Sequence, residues 1–173
     1  TYEILRSEQK KFLENLSQRT DINTGTLKDI RRLSMQISAR NQISGIVELI
    51  TNGTVNAEVY IKLKSGHTIV SVITNTAVNN LDLNLGDEVV AIFKSNTVLI
   101  STDIKLNISA RNKFSGTIDS INQGEINSEL VIDIGNGDKI ASVITTNSIE
   151  TLNIKEGMQV SAIIKASDVM LGK

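Results

Sequence analysis

The chain has 173 residues, and its 18 Lys and Arg against 19 Asp and Glu give a formal net charge of -1, which argues against a free-standing nucleic-acid binder. One His and no Cys exclude disulfides and thiolate metal sites and disfavour enzymatic acid–base or nucleophilic catalysis. Aromatic residues reach only 3% and no segment is apolar enough to span a membrane, so we expect a cytoplasmic, non-enzymatic, β-rich protein.

The N-terminal segment, residues 1–36, differs in pattern from the rest of the chain. Apolar residues recur there at helical spacing in two groups, first at Leu5, Phe12, Leu13 and Leu16, then at Leu27, Ile30 and Leu33. We therefore predict an amphipathic helix and a second, shorter helix, separated by the polar cluster at 21–26. Because helical spacing does not identify a packing partner, this segment either caps the next domain or forms a dimer contact.

From Ser38 onward the chain repeats itself. Placing Ser38 on Ser109 gives a gapless register at an offset of about 71 residues, with roughly a third of the paired positions identical. The shared segments include Ser38–Asn41 with Ser109–Asn112, Ser44–Gly45 with Ser115–Gly116, Ser71–Thr74 with Ser142–Thr145, and Lys94 with Lys165. The repeat predicts two tandem domains, at 37–103 and 104–173.

Each copy has the pattern of several short strands. In the first copy, runs of apolar and β-branched residues predict strands at 45–50, 57–63, 68–73, 89–93 and 98–100, with a brief helix or turn at 76–81. Five short strands with a small helical insert indicate a closed or nearly closed barrel of OB type, because closure removes exposed strand edges. The predicted fold is mainly β, with two tandem OB-like five-stranded barrels after a short α-helical segment.

Both copies retain groups that suit an anion. An Arg side chain can direct two N–H bonds at an oxyanion, a Lys adds a compact second positive charge, and hydroxyls donate further hydrogen bonds. The matched pairs are Ser38 and Ser109, Arg40 and Arg111, Thr74 and Thr145, and Lys94 and Lys165. The alternative is that Ser-Ala-Arg-Asn is only a turn leading into a strand, with a solvated Arg. Recurrence alone does not decide between the two.

The remaining titratable residues offer little chemistry. The single histidine, His67, lies in a predicted turn and is matched by Asp138, so we expect it to be solvated and dispensable. Glu58 and Glu129 are the acidic residues most clearly matched between the copies. The carboxylates lack the spacing of metal ligands, and no directly coordinated metal cation is expected.

Several motifs in constant order resemble the Mop family of molybdate-binding domains over residues 38–173. They are Ser-Ala-Arg-Asn, Asn56–Val59 with Asn127–Leu130, Val-Ile-Thr, and Lys165–Met170. The resemblance implies molybdate, or the similar tungstate, bound between barrels of a homo-oligomer, with a dimer favoured. It places these residues at the anion: Ser38, Arg40, Thr74, Ala77, Lys94, Ser95, Ser109, Arg111, Thr145, Ser148, Lys165 and Ala166. Ala77 stands where the family commonly has Ser, so either the copies differ in affinity or only one type of site is occupied.

Residues 30–37, which run directly into the first Ser-Ala-Arg-Asn, resemble the linker of ModE-type molybdate-responsive regulators. That resemblance implies the sensor half of a transcription regulator, which would contact DNA only through a domain absent from this chain. A stand-alone molybdate storage protein of two Mop domains is the alternative. An accessory part of a molybdate-import ATPase is a weaker reading, since the chain has no phosphate-binding loop of its own.

Overall fold

A computed structural model of the protein describes residues 37–173, and the two helices predicted for residues 1–36 lie outside the described residues. We call residues 37–103 the first half and residues 104–173 the second half. The first half contains β1 (Asn41–Asn52), β2 (Asn56–Leu63), β3 (Thr68–Thr74), α1 (Asn75–Asn80), β4 (Glu88–Phe93) and β5 (Leu99–Ser101). The second half contains β6 (Asn112–Asn122), β7 (Asn127–Gly135), β8 (Asp138–Thr145), α2 (Thr146–Thr151), β9 (Gln159–Ile164) and β10 (Met170–Gly172).

Alternation of buried and exposed residues explains the strands. In β2, for example, Ala57, Val59, Ile61 and Leu63 are buried and the residues between them are more exposed, as expected when one sheet face covers a core. All five strands and the short helix predicted for the first copy overlap observed elements. Within residues 37–173 no helix is long and apolar enough to cross a membrane.

The strands form two five-stranded antiparallel sheets, in the orders β10-β4-β1-β2-β3 and β5-β9-β6-β7-β8. The mainly β class with tandem five-stranded units is therefore confirmed. The fifth strand of each sheet, however, comes from the other half: Leu99 pairs with Ile163, and Met170 pairs with Ile92. We predicted that the strand at 98–100 would complete its own barrel. A three-residue apolar run identifies a strand but does not specify which of two similar edges it joins.

A close contact between neighbouring strands curls each sheet. A Cβ on Gly45 would lie 2.5 Å from Ile61 Cγ2 and 2.6 Å from the Lys62 carbonyl oxygen, and Gly116 is equally crowded in the second half. The register also shifts between Val47 and Leu49, which is the mark of a bulge that bends a strand. The curling brings β10 into contact with β3, the opposite edge of the same sheet.

Lys173, which directly follows the exchanged strand β10, forms an ion pair with the first half. Lys173 Nζ lies 2.8 Å from Asp87 Oδ2, and the same carboxylate oxygen accepts the Asn84 N–H at 2.6 Å. These two hydrogen bonds, the Lys173 bond first, lower the pKa of Asp87 from its ordinary value. The C-terminal lysine therefore helps to hold the exchanged strand in place.

We expect Lys173→Ala to lower the free energy of unfolding at pH 7 and to have little effect in acid. The folded state depresses the pKa of Asp87, so the pair stabilises the fold at pH values above the pKa of the unfolded carboxyl. This stability is lost as the pH falls through the folded pKa, below about pH 4. Urea unfolding of wild type and Lys173→Ala at pH 7 and pH 3 measures both differences. If Lys173→Ala lowered the free energy of unfolding equally at pH 7 and pH 3, this account would be contradicted. Lys155→Ala, which removes a positive charge at another exposed position, is the control.

Candidate functional site

The predicted Arg and Lys of each copy lie together at one end of a strand pair. Asn41 of β1 pairs with Phe93 of β4. Arg40 precedes Asn41 and Lys94 follows Phe93, so in an antiparallel pair the two cations flank the same strand end. The second half repeats this arrangement with Arg111 and Lys165 beside the paired Asn112 and Ile164.

The two lysines open the short 3-10 turns that lead into the exchanged strands. The turn Ser95–Thr97 packs against β8 of the second half, and the turn Ala166–Asp168 packs against β3 of the first half. Lys94 and Lys165 are exposed, and neither forms an ion pair with another residue in the range 37–173. Each exchange thus begins at a lysine that has no ion-pair partner among residues 37–173.

Arg40 is largely exposed, as the alternative reading of its motif expects, but it also contacts a carboxylate of the second half. Its Nε donates to Glu129 Oε2 at 2.9 Å and its Nη2 donates to Glu129 Oε1. The hydrogen bond with Glu129, followed by the carboxylate's negative charge, raises the pKa of Arg40. Since Glu129 lies on β7, this two-point contact joins the two halves.

Arg111 makes a different contact with the first half. Its Nη2 donates to the Tyr60 hydroxyl at 2.8 Å and lies 3.4 Å from Glu58 Oε2, while the Tyr60 hydroxyl donates to the same carboxylate oxygen at 2.7 Å. The hydrogen bond with Glu58 is the main cause that raises the pKa of Tyr60. The second half has Val131 in place of Tyr60, so within residues 37–173 Arg40 has no counterpart of the phenol contact of Arg111.

Thr145 ends the strand that pairs with the strand of Glu129, the partner of Arg40, and Ser148 follows in α2. Val143 pairs with Glu129 and Thr145 pairs with Asn127, so Thr145 is on the same sheet face as Glu129, about 7 Å further along the strand. Thr145 Oγ1 accepts the Ser148 N–H at 3.2 Å and shares a hydrogen bond with Ser148 Oγ at 2.7 Å. These contacts also cap the N-terminus of α2.

The corresponding residues of the first half are Thr74 and Ala77. Thr74 Oγ1 accepts the Ala77 N–H at 3.1 Å, which caps α1 in the same way. Ala77 has no hydroxyl with which the Thr74 hydroxyl could pair, whereas Ser148 engages that of Thr145. The two copies therefore differ in local hydrogen bonding at this position, and the difference in anion binding stays a prediction.

Eleven of the twelve predicted residues fall into two groups that each draw on both halves. Ser38 and Ser109 lie exposed in the bends before β1 and β6. We name the first donor set as Arg40, Lys94 and Ser95 with Thr145 and Ser148. We name the second donor set as Ser109, Arg111, Lys165 and Ala166 with Thr74 and Ala77. The grouping follows the cross-half contacts of the arginines and of the 3-10 turns.

The Asn of the Ser-Ala-Arg-Asn motif has a structural role that the sequence pattern did not predict. Asn112 Oδ1 accepts the Val70 N–H at 2.7 Å, and Asn112 Nδ2 donates to the Val70 carbonyl at 2.8 Å. Asn41 makes the same pair of bonds with Ala141 of β8. Each Asn side-chain amide thus bonds to the edge strand of the other half as the backbone of a neighbouring strand would. It thereby fixes the position of the adjacent Arg. The available signal was a polar residue that recurs in both copies at the start of a strand.

The expectation that His67 is solvated is wrong. Its imidazole is partly buried and meets the Phe114 ring edge-on, with centroids 5.5 Å apart, because the turn after β2 packs against the second half. The matching Asp138 is buried and accepts the Ser65 N–H at 2.8 Å. Among the described residues, no group of three or more His, Cys, Asp or Glu could hold a metal ion.

Comparison with known proteins gives consistent matches to molybdenum-related proteins. "Molybdenum transport protein ModE" of Azotobacter vinelandii is 35% identical over 98% of this chain, which spans 65% of that relative. "Molybdenum-pterin-binding protein MopA" of Rhodobacter capsulatus is 35% identical over 84% of this chain and 55% of its own length. A solved structure described as the cytoplasmic molybdate-binding protein ModG with molybdate bound is 41% identical, with a TM-score of 0.77, over 80% of this chain and 99% of ModG.

The family match coincides with the duplication found in the sequence. The TOBE domain matches residues 37–100 and again residues 108–171, so each half carries one copy. The resemblance to Mop domains that the motifs indicated is confirmed by these relatives. The chain belongs to the TOBE domain family and contains two copies of the domain.

Proposed function

We propose that this protein binds molybdate at the first and second donor sets and that it is the molybdate-sensing part of a transcription regulator. The observation that carries the proposal is the placement of an Arg and a Lys at the same strand end, once in each half. The relatives named for ModE, MopA and ModG supply the identity of the anion.

The charges and donors of each set suit a tetrahedral dianion. Removing a doubly charged anion from water is costly unless charged and polar donors replace its hydration. An exposed Lys brings a mobile ammonium, the neighbouring Arg brings several N–H donors in a fixed plane, and the Thr and Ser hydroxyls bring neutral donors. None of these groups discriminates molybdate from tungstate, so both anions should bind.

Isothermal titration of the full chain with sodium molybdate tests the binding directly. We expect a saturable signal that tungstate displaces, together with a smaller response to sulfate and phosphate at equal concentration and ionic strength. No saturable molybdate binding, or equal binding of all four anions, would contradict the proposal.

The sensing role rests on the extent of the matches. The ModE relatives of Azotobacter vinelandii and Yersinia pestis align with 98% of this chain, and so with most of residues 1–36. The chain spans 65% of each of them, and in the proposed regulator a further domain would make the DNA contacts. Molybdate would change DNA affinity by favouring one arrangement of a homo-oligomer, with a dimer preferred and anions bound between barrels.

A stand-alone, cytoplasmic molybdate store is the second candidate, because the chain covers 99% of the ModG structure. Operator binding by the natural full-length protein separates the two roles. We expect molybdate to change the affinity for operator DNA, and an affinity that is equal with and without molybdate would favour storage.

A further inference from the structure

We propose that Glu129 and Glu58 compete with the anion for Arg40 and Arg111, and that Tyr60 weakens this competition in the second donor set. The inference rests on the proposed function, because it concerns how the same two sets regulate anion affinity. Its basis is the difference between the two cross-half contacts of the arginines.

In the first donor set the carboxylate occupies one whole edge of the guanidinium. Glu129 accepts from both Nε and Nη2 of Arg40, so an incoming oxyanion must either displace it or use the N–H groups that remain. The Arg40 side chain is 61% exposed and that of Glu129 is 24% exposed, so the guanidinium is open to solvent on its other side. With the carboxylate in place, the charges of Arg40 and Glu129 cancel and Lys94 alone attracts the dianion.

In the second donor set the carboxylate is held further from the guanidinium. The Tyr60 hydroxyl stands between them: it accepts from Arg111 and donates to Glu58. Only Nη2 of Arg111 approaches the carboxylate, at 3.4 Å, and the ring of Tyr60 lies 6.0 Å from the guanidinium carbon. More of the N–H groups of Arg111 therefore remain available to an anion.

These differences predict that the second donor set binds the dianion more tightly. Bonds to charged groups are about twice as strong as neutral ones, so the freer guanidinium of Arg111 outweighs the hydroxyl that Ala77 lacks. The Ser148 hydroxyl adds little to anion binding by the first set, because it is already hydrogen-bonded to Thr145.

Glu129→Gln isolates the competition in the first set. In a chain whose second set is disabled by Arg111→Ala, we expect Glu129→Gln to tighten molybdate binding about threefold to tenfold, since an exposed ion pair and a partly screened repulsion are removed. Unchanged affinity would overturn the proposal, and weaker affinity would show instead that the carboxylate positions Arg40. Asp119→Asn, which removes a carboxylate from the exposed ion pair with Lys139, is the matched control and should leave affinity unchanged.

Tyr60→Phe tests the second set in a chain carrying Arg40→Ala. Without the hydroxyl, Glu58 can approach Arg111 more closely than the present 3.4 Å, and we expect molybdate binding to weaken about threefold. Unchanged or tighter binding would overturn the role of Tyr60. If the wild type binds no molybdate, the proposed function itself is refuted. If the Arg111→Ala parent binds molybdate and Glu129→Gln does not tighten that binding, only the competition is refuted.

Discussion

Arg40→Ala is expected to weaken molybdate binding by more than about tenfold in a chain whose second donor set is already disabled by Arg111→Ala. A hydrogen bond to a charged group contributes enough to account for a change of that size, and the loss of Arg40 also leaves the Glu129 carboxylate unpaired beside the dianion. Calorimetric titration of the Arg111→Ala parent and the double variant measures the effect. Affinities that agree within a factor of two would exclude Arg40 from the site.

Lys94→Ala in the same parent should cause a similar loss, because Lys94 is the cation of the first donor set that no described carboxylate neutralises. Lys139→Ala is the matched control: it removes a lysine from the exposed pair with Asp119, on β8 but about 20 Å along the strand from Thr145. Equal losses for the two lysines would mean that overall charge, and not this site, attracts the anion.

Asn112→Ala is expected to destabilise the fold by about 2–4 kcal/mol. The substitution leaves the N–H and the carbonyl of Val70 without partners, and each unpaired buried group costs about 1–3 kcal/mol. Val70 is only 6% exposed, so water cannot easily replace the amide. Urea unfolding followed by far-UV circular dichroism measures the change.

Asn41→Ala should cost less, about 1–2 kcal/mol, because its partner Ala141 is more exposed than Val70 and water can reach the freed groups. Asn79→Ala, at an exposed position of α1, is the control and should change stability by less than about 0.5 kcal/mol. A cost for Asn112→Ala as small as that of the control would show that the amide contact does not join the two halves.

Local structure followed closely from the sequence. The alternation of Ala57, Val59 and Ile61 specifies both a strand and its buried face, and the polar run after β3 specifies a short helix. These features depend on neighbours along the chain, which the sequence displays directly. Because the second half repeats the sequence pattern of the first, the strands and the short helix predicted for the first half were predicted for the second half as well.

The exchange of β5 and β10 could not be predicted in the same way. Leu99 and Met170 occupy matching positions, and each has the same kind of strand available in either half, β4 or β9. Which edge is chosen depends on packing across the interface, such as the Ser142 hydroxyl that donates to the Val98 carbonyl at 2.8 Å. A contact of this kind leaves no periodic signal in a single sequence.

The candidate site was predictable in its residue types but not in its electrostatics. Arg40, Lys94 and their counterparts were identified because they recur. Their pairing with Glu129 and Glu58 was not predicted, although these acidic residues also recur. Glu129 is about 90 residues from Arg40 along the chain, and only the arrangement of the strands brings the two together. The intervening Tyr60 occurs in one copy alone, so repetition gave no reason to single it out.

Native mass spectrometry with added molybdate tests the central claim, that the donor sets of the two halves hold the anion. We expect wild-type protein to take up molybdate in proportion to its subunit count. The variant with both Arg40→Ala and Arg111→Ala should form the same assembly and retain none. A double variant that binds as many molybdate ions per subunit as the wild type would contradict the account.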